Sequence, residues 1–217
     1  MPVYLLDNTS LMFPPVKTAR KDGLLAVGGE LSVERLLVAY RNGIFPWYNE
    51  DEPPMWWSPD PRFVLYPDEL RVSKSMAQLI RKNVFEFRVN SSFEAVINYC
   101  GEVPRKSMDG TWISADINGA YTQLHGLGFA YSAEAWSEGE LAGGLYGILM
   151  GKVFFGESMF SRKSNASKYA FIHWVRLLQE NGIQLIDCQV HTTHLESLGA
   201  KMIRRTQFIE LLNRYIG

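Results

Sequence analysis

Residues 129–168 read FAYSAEAWSEGELAGGLYGILMGKVFFGESMFSRKSNASK. Three strand-like runs, FAYSAEAW, LAGGLYGILM and VFFGESMF, are parted by the turn signals SEGE and GK. Their spacing predicts two consecutive hairpins, hence an antiparallel meander. Directly after the third run comes a polar turn, SRKSNAS, and then a helical pattern. One residue does not fit a plain core strand. Glu157 stands in the aromatic run FFGESMF, and burying an unpaired carboxylate costs several kcal/mol, so it must meet a partner or a ligand. Strict alternation places Phe155, Glu157 and Met159 on one face of that strand.

The pattern extends outward in both directions. Upstream, Ser114 or Asp116 opens a helix that carries Ile117, Ala120, Tyr121 and Leu124 on one side and stops at HGLG. Downstream, a long helix runs from about Asn165 to Glu180 and stops at Asn181 and Gly182. QLIDCQV then reads as a strand, Thr193 and Glu196 form a T-x-x-E capping box, and a last helix starts at Gln207. This order resembles the GNAT acyltransferase fold, whose meander is continued by a parallel strand beyond the long helix. Acetyl-CoA enzymes of that fold place glycines in the turn before the long helix to cradle pyrophosphate. SRKSNAS has none, which argues against a CoA donor.

Before residue 64 the character changes. Eight of the ten prolines (Pro2, Pro14, Pro15, Pro46, Pro53, Pro54, Pro59, Pro61) lie there, with a single clear helix after Ser32 that uses Val33, Leu36, Leu37 and Tyr40 and stops at Gly43. In GIFPWYNEDEPPMWWSPDPR, Trp47, Trp56 and Trp57 alternate with prolines that oppose regular structure. The expected fold class is therefore α+β: a small Pro/Trp-rich α+β domain over 1–63, then a GNAT-like domain over 64–217 with a mixed, mostly antiparallel sheet.

Composition narrows the function classes. With 47% hydrophobic and 21% charged residues, the chain fits a globular protein with a substantial core. Two cysteines, Cys100 and Cys188, make no disulfide framework, and no secretory leader pattern or membrane-length apolar run is evident, so a cytoplasmic location is expected. A net charge of −1 means that any nucleic-acid binding must rest on a local patch. Between Arg71 and Arg88 the residues Arg71, Lys74, Arg81, Lys82 and Arg88 face one acid, Glu86. Lys74, Arg81 and Lys82 share a helix face and form the expected patch, with Arg105, Lys106, Arg204 and Arg205 as the alternative.

Alternation in QLIDCQV sends Asp187 and Gln189 to one face and Ile186, Cys188 and Val190 to the other. Such a polar pair either braces a neighbouring loop or performs chemistry. Cys188, His191 and His194 are spaced C-x-x-H-x-x-H, which matches no usual zinc pattern, and nothing places a base beside Cys188, so neither metal binding nor cysteine catalysis is expected. His173 reads as a hydrogen-bonded core histidine.

Together, GLLAVGGELSVERLLVAYRNGIFPW, WWSPDPR, GTWIS, GGLYG, FFGESMFSRKSNASK and LIDCQVHTTHLESLGA resemble the leucyl/phenylalanyl-tRNA–protein transferase family of the N-end rule pathway, over almost the whole chain. The resemblance implies transfer of Leu or Phe from Leu-tRNA or Phe-tRNA to proteins with an N-terminal Arg or Lys, without cofactor, metal, CoA or membrane. It implies that Asp187 and Gln189 serve the attacking amine, with the Gln189 amide oxygen accepting its hydrogen. The charge of the nascent ammonium then falls to Asp187, directly or through a relay, or the tRNA 2′-hydroxyl shuttles the proton. Glu157 is implied to orient the donor α-amino group, with Leu145, Phe154, Met159, Phe171, Trp174 and Ile186 around its side chain. Trp47 and Trp112 are implied to hold the terminal adenosine, and Lys74, Arg81 and Lys82 are the expected tRNA contacts.

Overall fold

The computed structural model describes residues 3–102 and 114–217. Its first part holds β1 (Tyr4–Leu6), β2 (Leu24–Gly28), α1 (Val33–Arg41), β3 (Phe45–Pro46) and β4 (Met55–Trp57). Ser32 caps α1 by accepting from the Arg35 amide, as its sequence position predicts. The four strands form a sheet in the order β1-β2-β4-β3. The proline-rich stretch is thus more regular than expected. Phe45 pairs with Trp57 and Pro46 with Trp56, and β3 tolerates its proline because it is an edge strand.

The remaining elements are β5 (Arg62–Leu65), α2 (Lys74–Arg81), β6 (Glu86–Val89), α3 (Phe93–Glu102), α4 (Ala115–Gly126), β7 (Ala130–Ser137), β8 (Glu140–Met150), β9 (Val153–Ser161), α5 (Ala166–Glu180), β10 (Leu185–Gln189), α6 (Thr193–Ser197), β11 (Lys201–Ile203) and α7 (Arg205–Ile216). Seven strands form one sheet in the order β11-β5-β10-β9-β8-β7-β6. The predicted meander is β7-β8-β9, and β10 continues it parallel to β9. This is the α+β, GNAT-like arrangement, with a mixed sheet. Two termini move by a residue or two from expectation. Thr192, not Thr193, caps α6 by accepting from the Leu195 amide, and α7 begins at Arg205 rather than Gln207.

The large sheet separates two apolar layers. One face packs Phe154, Phe171, Trp174 and Ile186 beneath α5 and α2. The other gathers Tyr121, Tyr146, Phe155 and Phe208 with Tyr40, Phe45 and Trp56 from the first part of the chain. Position 63/64 therefore falls inside β5, and residues on both sides of it share one core. Glycines set how closely α5 approaches. A Cβ at Gly143 of β8 would lie 2.7 Å from the Ala166 Cβ and 2.9 Å from the Ser167 amide nitrogen, so this first glycine of GGLYG lets the first turn of α5 rest on the sheet.

Candidate active site

Strands β9 and β10 run together only from Val153↔Leu185 to Phe155↔Asp187. Beyond that point both are bulged. Along β9 the pairing with β8 passes from Gly147↔Gly156 to Tyr146↔Ser158, which leaves Glu157 without an opposite residue. Along β10 the pairing with β5 passes from Asp187↔Val64 to Gln189↔Phe63, which leaves Cys188 over. A bulge bends its strand and turns the following side chains to the other face. Two of them, on adjacent strands at the same level, open a cavity of about 550 Å³.

The bulge also corrects the alternation read from the sequence. Phe155 and Phe160, five apart, lie in one layer, while Phe154 and Met159 belong to the layer under α5. Glu157 therefore does not sit beside Met159 on a common face. It meets tyrosines: the Tyr121 hydroxyl donates to Glu157 Oε2 at 3.0 Å, and Tyr40 is hydrogen-bonded to Tyr121. From the opposite lip, Gln189 Nε2 donates to Glu157 Oε1 at 2.9 Å. Burial pushes the Glu157 carboxyl up to about 7. The tyrosine hydrogen bonds oppose this, the Asp187 charge adds to it, and the Gln189 contact again lowers it. Because the carboxylate engages the NH₂ end of Gln189, the amide oxygen is left to accept from a ligand.

Asp187 is placed differently from Gln189. It is fully buried and its two oxygens receive Arg62 Nε at 2.8 Å and Arg62 Nη2 at 2.6 Å. Its Oδ1 also accepts the Gln189 amide at 2.9 Å. Arg62 is fully buried too, donates to the Gly43 carbonyl at 3.1 Å, and lies over the rings of Phe45 and Phe208. Asp187 also lines the cavity, so a nascent ammonium there would meet a carboxylate whose charge is already paired with the Arg62 guanidinium.

Of the apolar residues expected around the donor, Leu145, Met159, Phe171 and Ile186 line the cavity. Phe154 and Trp174, expected there from the resemblance, do not; they are buried in the layer under α5, edge to face at 5.4 Å, where they pack against each other. Trp47 lines the mouth with its ring tilted against Trp57 at 6.0 Å, and its Nε1 is buried without a partner among the described residues. Trp112, Arg105 and Lys106 lie outside the described residues. Lys74 and Arg81 are exposed on α2, with Lys82 as its C-cap. Cys188 turns to the apolar layer, where burial pushes its thiol up. His191 bonds Glu196 at 3.1 Å. His194 lines the cavity, and burial together with Lys168 lowers its pKa. His173 is stacked between Phe87 and Tyr169, and its Nε2 has no hydrogen-bond partner among the described residues.

Sequence reasoning missed Arg62, Tyr40 and Tyr121 as members of the site. Both tyrosines were visible only as apolar positions of helices, and Arg62 only as part of WWSPDPR; no spacing rule links Arg62 to Asp187, 125 positions away.

Comparison with known proteins is consistent along the chain. Residues 64–213 match the family model described as leucyl/phenylalanyl-tRNA protein transferase, and residues 29–60 match that of its N-terminal domain. A leucyl/phenylalanyl-tRNA–protein transferase of Syntrophobacter fumaroxidans is 57% identical, covering 98% of this chain and 90% of that protein. The Pseudomonas fluorescens protein of the same name is 54% identical over 97% and 94% of the two chains, and that of Chromobacterium violaceum 53% over 94% and 88%.

Proposed function

This chain belongs to the leucyl/phenylalanyl-tRNA–protein transferase family, and we propose from that premise that it moves leucine or phenylalanine from the 3′ end of a tRNA to the N-terminal Arg or Lys of a protein. The observation that carries this reading is the pairing of Glu157 and Gln189 across an apolar cavity at the point where β9 and β10 part. An aminoacyl ester presents one amine and one apolar side chain. Glu157 suits the amine, and Leu145, Met159, Phe171 and Ile186 suit the side chain.

The chemistry asks little of a base. An N-terminal amine has a pKa of about 7.7–8.0, so roughly a tenth is neutral near pH 7 and ready to attack. Its nitrogen forms a bond to the ester carbonyl carbon, and the bond from that carbon to the adenosine 3′ oxygen breaks. Gln189 holds the attacking N–H through its amide oxygen, which is too weakly basic to keep the proton. Since Asp187 is engaged by Arg62, the proton passes to the leaving 3′ oxygen by way of the neighbouring 2′-hydroxyl. Placement therefore supplies much of the rate. Trp47 stacks on the terminal adenine, and Lys74, Arg81 and Lys82 hold the tRNA body. The reaction takes place in the cytoplasm, where charged tRNA is found, and uses no CoA.

The deciding experiment offers [¹⁴C]leucyl-tRNA and [¹⁴C]phenylalanyl-tRNA to peptides that begin with Arg, Lys or Ala. Transfer to the first two and not to the third is expected. No transfer from either tRNA overturns the reading.

A further inference from the structure

The cavity's two polar lips are held by a chain of contacts that begins outside it. Arg62 grips both oxygens of Asp187 at 2.8 and 2.6 Å, and Asp187 Oδ1 in turn holds the Gln189 amide at 2.9 Å. Gln189 has a φ of 63°, in the left-handed region that non-glycine residues avoid. That strained turn lets the side chain double back from the bulge, and Nε2 reaches Glu157 Oε1. The Asp187 carboxylate is the side-chain acceptor for that amide, so the turn depends on where the carboxylate stands. Arg62 fixes it there. Its guanidinium lies 4.7 Å from the Phe45 ring centroid and 4.6 Å from that of Phe208, and Nη1 binds the Gly43 carbonyl. Phe45 lines the cavity next to Trp47. One buried side chain thus ties the mouth of the cavity to the lip that carries Gln189.

We infer that Arg62 is a positioning residue for the transfer reaction: through Asp187 it sets the backbone of Gln189, and the contribution of Asp187 to catalysis is this placement rather than its negative charge. The inference rests on the function proposed above. A carboxylate paired at two points with a guanidinium offers little net charge to a reacting amine, whereas an oxygen at the same point still holds the Gln189 amide when the charge is gone. The paired substitutions Arg62→Gln and Asp187→Asn keep that oxygen and replace the ionic contact by an amide–amide hydrogen bond.

The test measures kcat and KM for transfer from leucyl-tRNA, with puromycin affinity read separately by calorimetry, for wild type, Asp187→Asn, Arg62→Lys and the double variant Arg62→Gln/Asp187→Asn. Wild-type transfer comes first: its absence overturns the proposed function, and its presence lets the variants speak to Arg62. Asp187→Asn is expected to lose about a hundredfold in kcat, the scale of a small misplacement of a reacting group, and the double variant to recover to within about tenfold of wild type. Arg62→Lys keeps the charge and loses the fork, so kcat should fall with puromycin affinity unchanged. A double variant that is folded by circular dichroism and as slow as Asp187→Asn overturns the inference, because the charge itself is then required. So does an Arg62→Lys variant with wild-type kcat, a measurement that decides the matter even where the double variant fails to fold.

Discussion

Glu157 is a carboxylate whose proton is released only at about pH 7, chiefly because it is buried. In the unfolded chain the same group ionises near 4.5, so between these values the native state binds more protons. Its contribution to stability is fully present below pH 4.5 and is lost as pH rises through 7. Relative to wild type, Glu157→Gln should therefore gain stability over that window, on the order of 3 kcal/mol, seen as a urea midpoint that no longer declines between pH 5 and 8. Binding of puromycin, an aminoacyl-adenosine analogue, should strengthen over the same window in wild type as the carboxylate forms, and should lose that dependence in the variant. Trp47→Ala should weaken the same ligand by about 1–3 kcal/mol, the worth of one base stack; unchanged affinity in a folded variant would remove Trp47 from the adenosine site. Glu157 was legible in the sequence because a carboxylate among aromatics demands a partner. Its partners were not, since Tyr40 and Tyr121 obey the helical apolar spacing and reveal their hydroxyls' use only once α1 and α4 meet.

At the scale of elements, α2 is amphipathic: Met76 is buried, and Lys74, Arg81 and the C-cap Lys82 are exposed. None of the three joins an ion pair among the described residues, so their charge is available to phosphate. Neutralising all three should reduce tRNA affinity and lower the slope of log affinity against log salt by roughly 2–3 units, about 0.9 for each phosphate contact on duplex. Transfer from aminoacyl-adenosine should persist, since that donor has no duplex. A wild-type slope would move the patch elsewhere. The meander, the long helix and the parallel strand were all legible from turn residues and periodicity, which depend on neighbours in sequence. β5 was not. Four residues, RFVL, give no period of their own, and their place between β10 and β11 is decided by partners more than a hundred residues away. The bulges escaped for a related reason: an extra residue in one strand shows only against its neighbour's register.

For the whole molecule, family models divide at residues 60 and 64 while the core does not. Tyr40, Phe45 and Trp56 pack with Tyr146, Phe155 and Phe208, and Arg62 reaches from β5 to the Gly43 carbonyl. We propose that the two parts fold as one cooperative unit. The fragment 64–217 lacks Arg62 and Phe63 of β5 and exposes that shared core, so it should show non-coincident near- and far-ultraviolet circular dichroism transitions and no measurable puromycin binding, where the full chain gives a single transition. Composition did announce the Pro/Trp-rich first part as distinct. It carried no sign that this part closes the core of the second.

The short seam between β9 and β10 has a mechanical consequence. Three residue pairs join a half-sheet of β6 to β9 to another of β10, β5 and β11, and beyond Phe155 and Asp187 the two diverge like the blades of shears. The stiffness of that joint sets the aperture through which the charged end of the donor must enter, and a ligand seated on Glu157, which Gln189 already reaches across the gap, acts as a rivet across the blades. Hydrogen exchange should report it: amides of residues 153–158 and 185–190 should slow in concert when puromycin binds, while those of β7, anchored along its whole length to β8, keep their rates.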